Sequence, residues 1–227
     1  MRLASKLLPK KIRKLLKSSV ILSEAYGHRM SINQNRCVDR HGNPIPWYTY
    51  PAIEYLQSLD FKTSRVLEYG SGASSIWWAG LADSVLSVEH DATWFDEVQQ
   101  KQVPNLTIKL AQSEDDYVAA GVGPGTTFQV VIIDGVHRHR CAQQLKQIIA
   151  SECLVVLDNS DWHPQTAKLL REELDLLQVD FHGFGPINPY TWTTSVFFTR
   201  NFKVTPSQGR LPAYSTAALQ HLAPGQQ

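Results

Sequence analysis

The chain has 227 residues, a length that predicts one folded domain with appendages. A hydrophobic fraction of 43% and a net charge of +1 exclude general disorder, and a chain of this length buries a core without needing disulfides. The three cysteines, Cys37, Cys141 and Cys153, lack the spacing of a zinc site, so we expect a reducing, cytoplasmic compartment.

Residues 1–17 form the first distinct segment, with seven of the 22 lysine and arginine residues and no acid. Leucine and isoleucine recur among these charges at near-helical spacing, interrupted at Pro9, as in a helix that lies on a surface. The segment suits peripheral contact with a membrane or an acidic partner, or else a solvated or locally packed extension. The rest of the chain carries 15 basic against 21 acidic residues, so we expect no nucleic-acid partner. We also expect no secretion signal and no transmembrane segment, because the apolar runs are short.

From residue 64 onward, short apolar runs alternate with helical stretches. Five runs are predicted strands: Arg65–Tyr69, Ser84–Val88, Leu106–Leu110, Gln129–Ile133 and Cys153–Leu157. The helices are predicted at Pro51–Leu59, Ser74–Ala82, Trp94–Lys101, Glu114–Ala120, Arg140–Ala150 and His163–Leu177. This alternation predicts a parallel sheet with helices on both faces. Two further strands, around Phe181 and at Thr194–Phe198, are joined by a loop too short for a crossover helix, which predicts an antiparallel pair.

The first predicted strand leads directly into a glycine turn made by Gly70, Ser71 and Gly72. Two glycines separated by one residue let the backbone approach a ligand closely, and the start of the following helix offers free N–H groups. The turn therefore predicts a site for a polar or anionic group, with a tight structural turn as the alternative.

Two acids flank this turn in the predicted fold. Glu68, two residues before the first glycine, suits a positive group such as an ammonium, and Glu89 follows the second strand. A carboxylate at the end of that strand can accept both hydroxyls of a ribose. A dinucleotide fold offers the same ribose acid, but its fingerprint needs a third small residue, usually glycine or alanine, where this chain has Ser75.

The fourth and fifth predicted strands also end in polar residues, Asp134 after the fourth and Asp158 with Asn159 after the fifth. The carboxyl ends of neighbouring parallel strands meet at one crevice, which is where open sheets bind ligands. Two carboxylates and a carboxamide are oxygen ligands of the kind that Mg²⁺ prefers. The pattern predicts a metal triad, with simple capping of the next helix or turn as the alternative.

The segment from Val66 to Gly72, together with Glu89, resembles the first motif and the ribose acid of class I S-adenosylmethionine-dependent methyltransferases. The resemblance covers about residues 64–200. It implies an α/β fold, a Rossmann-like three-layer sandwich whose seven-stranded, mostly parallel sheet has an antiparallel last strand. It also implies S-adenosyl-L-methionine as cofactor, with Ser113 and Glu114 against the adenine, although this pair equally suits a plain helix N-cap.

The acids at the strand ends also resemble the metal-dependent branch typified by catechol O-methyltransferase. This implies Mg²⁺ at Asp134, Asp158 and Asn159, and methyl transfer to a hydroxyl oxygen of a small molecule or glycan. In that branch, a lysine three residues after the first acid is the base. Here the position is His137, whose imidazole can take a proton near neutral pH, and Asp134 is the second catalytic candidate. A nicotinamide-dependent oxidoreductase and a non-catalytic ligand-binding module recruited to membranes remain alternatives.

The remaining expectations concern the surroundings of this site and the division of the chain. Arg138 and Arg140 could hold an acidic acceptor or simply begin a solvated helix. Three tryptophans are expected to pack between helices and sheet: Trp77, Trp78 and Trp94. The aromatic segments 47–50 and 188–192 either cover the site or pack beneath loops. The chain is divided into a basic N-terminal extension (1–45), a methyltransferase domain (46–203) and a flexible C-terminal tail (204–227).

Overall fold

The computed structural model of the chain describes residues 9–220 and Ala223. Within them the helices are α1 (Lys10–Val20), α2 (His28–Gln34), α3 (Tyr50–Gln57), α4 (Ala73–Ala79), α5 (Ala92–Gln99), α6 (Glu114–Ala119), α7 (Arg138–Ile148) and α8 (Pro164–Lys168). The strands are β1 (Arg65–Tyr69), β2 (Ser84–Glu89), β3 (Leu106–Leu110), β4 (Phe128–Ile133), β5 (Ile149–Leu157), β6 (Leu177–Gly183) and β7 (Trp192–Phe198). Helices α1 and α8 each continue into a π-helical turn, Ile21–Ala25 and Leu169–Glu173.

The strands form one seven-stranded sheet in the order β3-β2-β1-β4-β5-β7-β6. Strands β1 to β5 pair in parallel, and β7 pairs antiparallel with both β5 and β6. Consequently the carboxyl ends of β1 to β6 lie along one edge of the sheet, called the carboxyl edge below. The predicted seven-stranded sheet with an antiparallel last strand is confirmed.

Each face of the sheet is covered by helices, because the central strands are apolar on both sides. Leu67, Val131 and Val155 pack on one face against side chains of α6, α7 and α8. Val66 and Val130 pack on the other face against side chains of α3 and α4. Continuous apolar runs are what a strand buried on both faces requires, and the result is the expected three-layer sandwich.

One departure from the predicted elements lies between β5 and β6. A helix was predicted over His163–Leu177, whereas α8 and its π-helical turn end at Glu173 and β6 begins at Leu177. The backbone N–H groups of Leu174 and Leu176 still donate to the carbonyls of Leu169 and Leu170. The helical periodicity therefore continues through the turn, and the sequence pattern alone does not separate the two elements.

The segments on either side of the sheet domain make defined contacts with it. The Tyr26 ring packs on Tyr50 with centroids 4.8 Å apart, and buried His28 bonds through Nδ1 to the Gly185 carbonyl at 3.0 Å. At the other end of the chain, Asp60 N–H donates to the Thr205 carbonyl at 2.9 Å. The expected division into an extension, a domain and a tail stays a prediction. Among the described residues, the helices are too short or too polar to cross a bilayer.

Candidate functional site

The turn between β1 and α4 lies directly against the turn that follows β4. Gly70 has a φ of 111°, and a Cβ atom there would lie 3.0 Å from the backbone nitrogen of Gly135. Glycine is therefore required on both conformational and steric grounds. Gly135 is similarly crowded, since its Cβ would lie 2.2 Å from the Tyr117 hydroxyl. This close approach brings the glycine turn and the end of β4 together at the carboxyl edge.

Glu68 lies beneath the glycine turn and accepts hydrogen bonds from three serine hydroxyls. One carboxylate oxygen accepts from the Ser74 hydroxyl at 2.5 Å, and the other from Ser75 at 2.5 Å and Ser87 at 2.6 Å. Burial raises the pKa of Glu68 to about 7, although the three hydroxyls act in the opposite direction. The carboxylate thus joins β1, α4 and β2, and contact with a ligand's positive group stays a prediction.

Glu89, at the end of β2, is buried and faces the glycine turn. Its Oε2 accepts from the backbone N–H of Ser71 at 3.0 Å and from the Ser71 hydroxyl at 2.8 Å. Its Oε1 accepts from the backbone N–H groups of His90 and Asp91 at 2.8 and 3.0 Å. The neighbouring N–H groups fix the orientation of the carboxylate. Its side-chain partners are the Ser71 hydroxyl and the exposed His90 imidazole, whose Nδ1 lies 2.9 Å from Oε1, and these are the partners that a ligand hydroxyl could replace.

Trp94 is a residue of this site that the sequence analysis assigned to the core. Its indole N–H donates to the Ser71 carbonyl at 2.6 Å, yet the residue is 47% exposed. The expectation of core packing is therefore wrong for Trp94, whereas Trp78 is fully buried as expected. The position follows from α5, which begins three residues after Glu89 with Asp91 as its N-cap. The sequence held a signal for this position, because the first turn of a helix that begins three residues after Glu89 must lie beside that residue.

Ser113 and Glu114, the expected adenine contacts, begin α6. The Ser113 hydroxyl accepts from Asp116 N–H at 3.2 Å, which makes it a helix N-cap. Glu114 points toward the start of α7, where its Oε1 lies 3.3 Å from His137 Nδ1 and 3.1 Å from Arg140 Nη1. The N-cap alternative is present in the structure, and contact with an adenine stays a prediction.

The predicted metal triad surrounds a guanidinium. The Arg138 Nη2 group donates to the carbonyl and to Oδ1 of Asp134, at 2.7 and 3.2 Å. Its Nη1 group donates to the Asp158 carbonyl and to Asn159 Oδ1, and its Nε–H to the Gly135 carbonyl at 2.9 Å. These contacts use all five N–H donors of the guanidinium.

The contacts of Arg138 correct the prediction of a Mg²⁺ site at this place. The Arg138 guanidinium lies among the three residues that were predicted to bind Mg²⁺. No other cluster of His, Cys, Asp and Glu among the described residues suits a metal. Arg138 was itself assigned to an acidic acceptor or a solvated helix start, yet its side chain is only 12% exposed. The residues present do not fit a divalent ion.

The two acids of the triad differ in their surroundings. Asp158 is buried, and its Oδ1 accepts from Trp192 Nε1 at 3.1 Å and from the Thr194 hydroxyl at 2.5 Å. Burial, followed by the charge of Asp134, holds the pKa of Asp158 well above its ordinary value. Burial also raises the pKa of Asp134 to about 6, with Arg138 acting in the opposite direction. Desolvation therefore outweighs the nearby guanidinium in both carboxyl groups.

His137 stands at the start of α7 with a left-handed backbone, at φ 54°. Its side chain is 36% exposed, and Nδ1 lies 3.3 Å from Glu114 Oε1. Among the described residues, Nε2 has no hydrogen-bond partner. A proton on Nδ1 that is shared with Glu114 leaves the lone pair of Nε2 free to accept another proton.

The aromatic segments 47–50 and 188–192 each contain both buried and exposed residues. Tyr48 is fully buried and Trp192 is nearly so, whereas Trp47 and Tyr190 are about half exposed. The buried members pack near the acids, as the bond from Trp192 to Asp158 illustrates.

A cavity of about 400 Å³ lies elsewhere, between the Tyr26 region, α3 and α4. At the glycine turn, the Ser71 hydroxyl lies beside Glu89.

Comparison with known proteins finds similarity among solved structures alone. No model of a protein family matches the chain, and no curated protein matches it. A methyltransferase from Pyrococcus furiosus is 13% identical with a TM-score of 0.48, covering 66% of this chain and 81% of that one. Precorrin-6y C5,15-methyltransferase from Geobacter metallireducens is 14% identical with a TM-score of 0.48, covering 64% and 87%. N-methyltransferase NodS from Bradyrhizobium japonicum, in complex with S-adenosyl-L-homocysteine, is 12% identical with a TM-score of 0.47, covering 61% and 79%. The sheet topology described above, rather than these distant matches, establishes the Rossmann-like fold.

Proposed function

We propose that this chain transfers a methyl group from S-adenosyl-L-methionine to an acceptor. The observation that carries the proposal is the buried Glu89 carboxylate, which faces the glycine turn across the carboxyl edge and bonds to the Ser71 hydroxyl. A carboxylate at the end of the second strand is placed to accept the hydroxyls of a ribose. Each such charge-assisted bond contributes about 1.5–3 kcal/mol.

Two features favour this ligand over a dinucleotide. The sheet inserts the antiparallel β7 beside β5, whereas the dinucleotide fold continues with parallel strands. Ser75, at the position of the third fingerprint glycine, accepts from Gly72 N–H at 3.0 Å and donates to Glu68. Glycine or alanine at this position could make neither of these bonds. Ser75 therefore stabilises the turn in a way that the dinucleotide fingerprint does not.

For the cofactor, we propose three kinds of contact around Gly70, Ser71 and Gly72. Glu89 accepts the ribose hydroxyls after the Ser71 hydroxyl has turned away, and the turn offers backbone N–H groups to the amino-acid end. Trp94 lies over the turn and covers the bound ligand. Glu68 positions the turn from beneath through its three serines. Ser113 remains a candidate for contact with the adenine, at the start of α6.

For the reaction end, we propose His137 as the base and Glu114 as the residue that positions it. Bound S-adenosyl-L-methionine supplies a methyl group on a positively charged sulfur. An acceptor oxygen attacks the methyl carbon in line with the carbon–sulfur bond, which breaks as the carbon–oxygen bond forms. His137 Nε2 takes the proton of the acceptor hydroxyl, and Glu114 stabilises the resulting imidazolium through Nδ1. Alignment of the two reactants contributes about 7–11 kcal/mol to lowering the barrier. Asp134, partly exposed at the same edge, is the second candidate for the base.

The acceptor is proposed to be a hydroxyl of a small molecule or glycan. A neutral imidazole is a sufficient base for a hydroxyl that loses its proton during methyl transfer, whereas an uncharged amine needs no base before it attacks. The pairing of His137 with Glu114 therefore favours oxygen over nitrogen.

Transfer of a radiolabelled methyl group from S-adenosyl-L-methionine to a panel of hydroxyl and amine acceptors tests this function. We expect label in a hydroxyl acceptor, with S-adenosyl-L-homocysteine as co-product. Label in amines alone would contradict the oxygen acceptor. Stabilisation of the protein by NAD and not by S-adenosyl-L-homocysteine would instead support an oxidoreductase. Cofactor binding without label in any acceptor would support a non-catalytic module.

A further inference from the structure

Helix α1 is the part of the described fold that the proposed function leaves unexplained. None of its residues is buried, and its aliphatic residues Ile12, Leu15, Leu16 and Val20 are between 43% and 70% exposed. With 3.6 residues per turn, these four side chains share one side of the helix, within an arc of about 140°. An apolar stripe of this kind on a fully exposed helix is unusual unless a partner covers it.

The opposite side of α1 is uniformly basic. It carries five positive side chains and no acid, namely Lys10, Lys11, Arg13, Lys14 and Lys17. Within the described part of the chain, none of the five forms an ion pair. The first acid after the helix, Glu24, is already held by the Arg29 guanidinium through two bonds of 2.8 Å. No described residue therefore neutralises the positive charge of α1.

The helix is attached to the fold at its carboxyl end. Leu22 and Tyr26 pack against the core on the α3 side of the sheet, and His28 bonds to the Gly185 carbonyl. Gly185 follows β6, whose carboxyl end lies at the same edge as the candidate site. Helix α1 spans 11 residues, or about 16 Å, beyond this attachment.

We propose that α1 docks on an anionic lipid surface, with its apolar stripe in the boundary between headgroups and acyl chains. Arg13 and Lys11 border the stripe on either side, where long cationic side chains can reach the headgroups while their stems stay apolar. A nucleic acid would engage the basic side and leave the stripe in water, so the presence of both faces favours a lipid surface.

Sedimentation with vesicles tests the proposal on the full chain, without any need for turnover. The vesicles contain either phosphatidylcholine alone or phosphatidylcholine with phosphatidylserine. We expect binding to the anionic vesicles only, and weaker binding at high salt. The variant Lys14→Gln/Lys17→Gln is expected to bind roughly 25-fold more weakly, since each charge near the surface contributes about fivefold.

The apolar stripe is tested by Leu15→Ser/Leu16→Ser, which we expect to weaken binding about tenfold or more. The control Lys62→Gln/Lys101→Gln removes two exposed lysines elsewhere and should bind like the unaltered protein. Because α1 has no buried residue, these variants should keep the melting temperature of the unaltered protein. Absence of binding to anionic vesicles would overturn the proposal. So would full binding by the serine variant, since the basic face alone would then suffice, as it does for a nucleic acid or an acidic protein.

Discussion

Replacing Arg138 by methionine tests whether its guanidinium replaces a metal ion at the carboxyl edge. The substitution keeps much of the aliphatic stem but removes five donors from oxygen atoms of Asp134, Gly135, Asp158 and Asn159. Removing one partner of a buried charge pair costs about 3–5 kcal/mol. In a chain of this size, each kcal/mol lowers the melting temperature by about 2–4 °C, so we expect a decrease of about 6–20 °C.

The matched control is Arg140→Met, two residues further along α7. The Arg140 guanidinium is 45% exposed and contacts the exposed carboxylates of Glu114 and Asp115, an arrangement that contributes about 0–1 kcal/mol. Thermal unfolding is followed by circular dichroism, with and without a chelator. We expect a large decrease for the Arg138 variant alone, and no effect of the chelator on the unaltered protein. Equal decreases for both variants, or destabilisation of the unaltered protein by the chelator, would refute this interpretation.

Two further predictions concern the acids and the base. Because the folded-state pKa of Glu68 is raised to about 7, its contribution to stability is lost as the pH rises from its unfolded value toward and through 7. Relative to Glu68→Gln, the free energy of unfolding should therefore fall by about 2–3 kcal/mol between pH 5 and pH 8 in urea titrations, and a constant difference would contradict the raised pKa. His137→Ala should lower kcat by about 10²–10⁴-fold with little change in the affinity for S-adenosyl-L-homocysteine, and Glu114→Gln should lower kcat less. Unchanged turnover in the His137 variant would assign the base elsewhere.

The sequence predicts the central strands well because their pattern is local. The predicted Arg65–Tyr69 and Leu106–Leu110 match β1 and β3 residue for residue. These strands are short, rich in branched residues and bounded by polar turns. Their alternation with helices predicts the parallel sheet. The position of Glu89 at the carboxyl edge follows from the same pattern, because the strand that a residue ends determines where that residue lies in the sheet.

The contacts of long side chains are not encoded in such patterns. Arg138 lies at the start of a helix, where an arginine is ordinarily solvated, and two of its five contacts depend on the approach of the end of β5. Trp94 is a large aromatic residue of the kind that usually packs in a core. Its indole instead lies at the surface, where its N–H donates to the Ser71 carbonyl. For Glu68, three serines from α4 and β2 converge on one carboxylate, which depends on the pairing of β1 with β2.

Calorimetric titration of S-adenosyl-L-homocysteine into the unaltered protein and into Glu89→Gln is the most direct test of the proposed function. The amide keeps the shape of the side chain but weakens both bonds to the ribose, so we expect binding to the unaltered protein and an affinity about 100-fold or more lower in the variant. Absence of binding to the unaltered protein, or equal affinities for the two proteins, would contradict the claim that Glu89 holds the sugar of an adenosyl ligand.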